Sequence, residues 1–104
     1  MIPLPRTLAL LHSPALLATI REELTPSHLP LELYLTRGGW PESPRIEVRG
    51  VRENNIHAEV LLTVEFIEQC PAACPSSARP ETRIAYMLAR IRKQDALTEI
   101  LPDG

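Results

Sequence analysis

The stretch from Ile56 to Ile67, IHAEVLLTVEFI, constrains the fold more than any other part of the chain. Its even positions, Ile56, Ala58, Val60, Leu62, Val64 and Phe66, are all apolar. Its odd positions, His57, Glu59, Leu61, Thr63, Glu65 and Ile67, are mostly polar. Successive side chains on a strand point to opposite faces, so this pattern predicts a long strand with one buried and one wet face. A helix would scatter the even set around its circumference.

Two shorter stretches alternate in the same way. Leu31, Leu33 and Leu35 alternate with Glu32, Tyr34 and Thr36, and Ile46 and Val48 alternate with Glu47 and Arg49. Between them RGGWPESP, Arg37 to Pro44, reads as a turn-rich loop. If Glu53, Asn54 and Asn55 form a hairpin loop with an Asn in the left-handed region, Ile46 pairs with Leu62, Val48 with Val60 and Gly50 with Ala58. A loop one residue shorter would bury Glu47 and Arg49, which burial costs forbid. Gly50 inside the strand marks a bulge or close packing. Extending the pairing to Leu31–Thr36 as a meander places Arg49 between Glu32 and Glu59 on the outer face, and Tyr34, Glu47 and Leu61 beside one another. Tyr34 and Leu61, with Trp40 on its stiff loop, are the candidate binding residues; Trp40 would either anchor a partner or cover one end of the core.

Helical signals flank these strands. Ser13 before Pro14 suits an N-cap and first helical position, and Leu16, Leu17, Ile20 and Leu24 recur at helical spacing until Thr25 and Pro26 stop the helix. Pro80 would open a second helix with Ile84, Met87, Leu88 and Ile91 as its apolar stripe, running to Lys93. TLALL near the start is either a short strand or a helical turn, and QDALTEIL near the end either helix or strand. The expectation is one α+β domain over residues 1–104. It is a two-layer sandwich in α-β-β-β-α order, with a three-stranded antiparallel meander covered on one face by two helices. In that meander the far edge of the main strand needs a cover, and Thr7 to Leu11 or Leu97 to Leu101 would supply it; otherwise it would pair with another chain.

Cys70 and Cys74, in CPAAC, are the only cysteines. A thiol before a helix N-terminus can ionise more easily, so they form a candidate thiol pair or half of a metal site. His12, His28 and His57 lack the spacing to complete a zinc site. His57 and Glu59 share the wet face of the main strand without a nucleophile beside them, and Ser13 is explained as a cap. No catalytic residue, metal ligand or cofactor is assigned.

The α-β-β-β-α order resembles that of double-stranded-RNA-binding domains, from about Pro14 to Lys93. In that family a lysine cluster opens the second helix; here the matching stretch, ARPETR, has two arginines, an acid and no lysine. With a net charge of −2, nucleic acid and anionic membranes are not the expected partners. No apolar run approaches the roughly 20 residues a membrane helix needs, and the N-terminus is too short in apolar residues for a signal-peptide core. The sequence therefore reads as a cytoplasmic, non-enzymatic binding module that contacts another protein or a second copy of itself.

Overall fold

A computed structural model describes residues 1–35, 39–69 and 80–103. It is a mixed α+β structure in which strand residues far outnumber helical ones. Five strands form one antiparallel sheet: β1 (Ile2–Pro3), β2 (Trp40–Glu53), β3 (His57–Gln69), β4 (Glu81–Arg92) and β5 (Leu97–Pro102). Their order is β1-β5-β4-β3-β2, so β3 lies inside the sheet and β2 at one edge. Two short helices, α1 (Pro5–Ala9) and α2 (Leu16–Glu23), precede two single 3-10 turns at Pro26–His28 and Leu31–Tyr34.

The alternation of β3 sets the core. Ala58, Val60, Leu62, Val64 and Phe66 are buried, and Glu68 extends the same row, accepting from Arg83 Nε at 3.0 Å. On β4 the buried row is Ala85, Met87, Ala89 and Ile91. Leu4, Leu11, Ile20, Leu24, Leu29 and Leu31 pack onto these rows from the helices and turns. Each large aliphatic removed from water contributes about 1.5–3 kcal/mol before entropy is subtracted. Helix α2 follows its apolar stripe: Leu16 and Ile20 face the sheet, and the chain turns extended at Leu24 ahead of Pro26. Ser13 is not the cap of this helix: α2 begins at Leu16 with Ala15 at its N-cap and no side-chain cap bond, and the Ser13 hydroxyl accepts from the Ala15 N–H at 3.1 Å within the turn that precedes it.

The second helix is not formed; its residues are β4. Positions 84, 87, 88 and 91 fit a helical period, but Ala85, Met87, Ala89 and Ile91 also alternate, and alanine is too weakly apolar to make that row conspicuous. The backbone decides between the two. A helix satisfies its own amides and would leave the far edge of β3 unpaired along its length, whereas β4 pairs with β3 from His57–Arg92 through Glu68–Glu81. The cover on β3 is thus neither terminal segment. Leu97–Pro102 is a strand, but it pairs with β4, and Thr7 to Leu11 is helical and then turn. With the second helix gone, the element order shared with double-stranded-RNA-binding domains is gone as well.

Of the expected strand Leu31–Thr36, the described residues 31–35 are not strand. Leu31–Tyr34 makes a 3-10 turn that buries Leu31 and leaves Leu33 70% exposed. The one edge it would have joined is that of β2, where Arg21 Nε already donates to the Ile46 carbonyl at 2.8 Å and Pro44 has no N–H. The meander, and Arg49 between Glu32 and Glu59, fall with it.

Strand β2 starts earlier than expected, inside the RGGWPESP stretch. Prolines are tolerated there because it is an edge strand, and a bulge with Ser43 at φ 51° separates Glu42 from Arg45. The β2–β3 register is displaced by two residues: Ile46 pairs with Val64 and Val48 with Leu62, which keeps both on the buried side. A second shift between Val48 and Gly50 turns Gly50 to the outer face opposite Leu61. The hairpin loop is three residues long as expected but is Asn54 to Ile56. It is held by Asn54 Oδ1, which accepts from the N–H groups of Ile56 and His57 at 2.8 Å each. Neither asparagine is left-handed; among the described non-glycine residues Ser43 and Ala96 are.

Candidate interaction surface

The helices cover one face of the sheet. Among the described residues no helix or turn lies on the other. Its rows follow from the pairing. Arg52, Glu59, Arg90 and Glu99 form one row; Gly50, Leu61, Leu88 and Leu101 the next. Glu47, Thr63 and Tyr86 follow, then Arg45, Glu65 and Ile84, then Glu42, Ile67 and Thr82. Tyr86 is 48% exposed and Ile84 51%, both large for a strand in the middle of a sheet.

Most charges on this face are paired within the chain. Glu59, 19% exposed, lies between Arg52 at 3.3 Å and Arg90 at 3.2 Å. That is the reverse of a cation between two acids. Arg45 and Arg21 both reach Glu47 Oε1, at 3.0 and 2.8 Å.

Arg49 is the extra residue of the second bulge, and its side chain lies across the sheet. Its guanidinium donates to the Leu62 carbonyl at 3.2 Å through both Nε and an Nη, to the Met87 carbonyl at 3.4 Å and to Asp103 Oδ2 at 2.8 Å. It stands 5.2 Å from the centroid of the Tyr86 ring, within cation–π range. The Tyr86 carbonyl accepts from the Asp103 N–H at 2.9 Å and from the Tyr34 hydroxyl at 3.2 Å. Burial, and after it the Asp103 carboxylate, raise the Tyr34 pKa, so this hydroxyl remains a donor across the ordinary pH range.

The expected binding residues are not brought together. Leu61 is on the open face, one row from Tyr86. Tyr34 is in the 3-10 turn, packed against the core and tied to the β4 edge. Trp40 is at the start of β2 opposite Gln69, 48% exposed, with its Nε1 donating to Glu42 at 3.0 Å. Cys70 and Cys74 lie outside the described residues. Residues that sequence reasoning missed are Arg49, Ile84, Tyr86 and Asp103. The even positions 82 to 90 alternate against the alanine row, but only the strand assignment makes that visible.

A second feature is an open cleft of about 530 Å³ between the helices and the β2–β3 hairpin, lined by Leu8, Leu11, His12, Ser13, Glu53 and Lys93. Glu53 takes His12 Nε2 at 2.8 Å and Lys93 Nζ at 3.1 Å. Those two hydrogen bonds, His12 first, hold its carboxyl below the usual glutamate range. A carboxylate so held is a poor base, and the Ser13 hydroxyl accepts from the Ala15 N–H. No cluster of three metal-ligating side chains occurs among the described residues. No described helix is long and apolar enough to cross a membrane. Comparison with protein-family models, curated proteins and solved structures found no match.

Proposed function

We propose that the chain is a non-enzymatic binding module whose uncovered sheet face docks a protein surface. The observation that carries this reading is the exposure of Tyr86 and Ile84 at the centre of that face, with Arg49 fixed over the ring. Tyr and Arg are the residue types that most often dominate interface energetics, and a preordered Arg49 gives up little entropy on binding. Because the charges are of both signs and mutually paired, the face suits a mixed protein surface more than a polyanion.

Pairing through the β2 edge is a weaker route. Pro41 and Pro44 remove N–H donors, two bulges break the register, and Arg21 caps the Ile46 carbonyl. These are devices that discourage strand addition. The test is hydroxyl-radical footprinting of the chain, dilute and alone, against the same chain in an extract of the cells that encode it. Protection of Tyr86, Ile84 and Leu61 in the extract supports docking through this face. Equal labelling of all three in both conditions refutes it.

A further inference from the structure

We infer that the occupant of the open face is a second copy of this chain, packed face to face so that Leu61, Ile84, Tyr86 and Leu101 of the two copies meet among paired charges. This rests on the docking reading above and names the partner.

Three observations favour it. First, the face nearly balances its own charge, with Arg45, Arg49, Arg52, Arg90 and Arg92 (opposite His57) against five glutamates and Asp103, and most of these are already paired within the chain. Such a surface meets an identical one without net repulsion, which a face of one sign cannot do.

Second, the area suffices. Strands β2, β3 and β4 run 14, 13 and 12 residues, and β5 adds 6. At roughly 3.3 Å per residue and 4.8 Å per strand they present about 700 Å² of plan area. Two copies would bury about 1,400 Å², within the roughly 1,200–2,000 Å² of specific interfaces.

Third, the two faces of the sheet differ in cover. One layer of the sheet is filled by the helices. The other offers Leu61, Ile67, Ile84, Tyr86 and Leu101, the alternate row that a facing sheet about 10 Å away would cover.

A closed pair of identical faces is related by a two-fold axis. Strand β3 is the middle of the three long strands and Thr63 is its midpoint, so Thr63 lies near that axis and faces its own copy. Its side chain lies on the open face, in the row of Glu47 and Tyr86, and is partly exposed.

The experiment is sedimentation equilibrium of the whole chain from micromolar to millimolar concentration. Wild type should double from 11.6 kDa as concentration rises. Thr63→Arg and Thr63→Glu, each folded by circular dichroism, should stay monomeric. Each should lose at least about a hundredfold in dimer affinity, because like charges are then forced together at the axis. An equimolar mixture of the two should regain the dimer, a result that misfolding cannot produce. Wild type that stays monomeric to millimolar concentration overturns the proposal. So does a Thr63→Arg dimer as tight as wild type, or a mixture that does not reassemble. A monomer whose Tyr86 is nonetheless protected in cell extract would overturn self-association and leave the docking reading standing.

Discussion

Removing the Arg49 side chain tests whether the bulge on β2 builds the open face. Its guanidinium ties β2 to carbonyls of β3 and β4 and to Asp103 beyond β5, with the Tyr86 ring against it. The side chain is 32% exposed, so each contribution is discounted for solvent. The ion pair with Asp103 is worth about 0.5–1 kcal/mol, and the contact with Tyr86 about as much. The carbonyl hydrogen bonds add about 1 kcal/mol, since those oxygens regain water once the side chain is gone. Arg49→Ala should therefore cost about 2–3 kcal/mol, or roughly 10–20 °C in Tm for a domain of this size. Arg49→Lys should recover less than half, because an ammonium cannot reproduce the planar fork. Urea denaturation followed by far-ultraviolet circular dichroism measures both. A double-mutant cycle with Asp103→Asn should return a coupling of about 0.5–1 kcal/mol. A loss below about 0.5 kcal/mol for Arg49→Ala, or a Lys variant as stable as wild type, would refute the reasoning.

Three further expectations follow from the same geometry. Ala85→Arg buries an unpaired charge beneath the helices and should prevent folding, whereas Ile84→Arg on the open face should cost less than about 1 kcal/mol; equal effects by thermal melts would contradict the strand assignment of β4. Ala96 is buried and left-handed at φ 60°, so the β-branched Ala96→Val should lower stability by roughly 2 kcal/mol in the same assay. The Glu53 carboxyl should titrate below an ordinary glutamate in carbon-detected NMR and move back up in His12→Ala. Since its folded pKa is depressed, what it contributes is present above the usual glutamate range and is lost as pH falls through the folded value.

The sequence by itself determined β3, because a strict period of two over that length has one strand reading; Ala58, Val60, Leu62, Val64 and Phe66 follow from it, whereas Ile56, in the loop and 64% exposed, and the buried Glu68 do not. Helix α2 was legible in its apolar stripe and proline stop, though it begins at Leu16, two residues beyond the Pro14 start that the Ser13 cap implied. The hairpin length was readable, and Gly50 signalled the irregularity beside it. The partner of β3 was not legible. The residues of β4 satisfy a helical and a strand period together, and intrinsic preference cannot choose between them. The choice was made by the long row of β3 amides, which required a strand on each side. Leu31–Thr36 alternates as well as a strand should, yet no edge was free to accept it. The open face has the same origin: Ile84 and Tyr86 join it only because β4 pairs with β3, and Arg49 reaches Asp103 only because a bulge aims it across the sheet. Local patterning records which side of an element is buried, whereas pairing is a non-local competition for backbone hydrogen bonds, and only the tertiary structure resolves it.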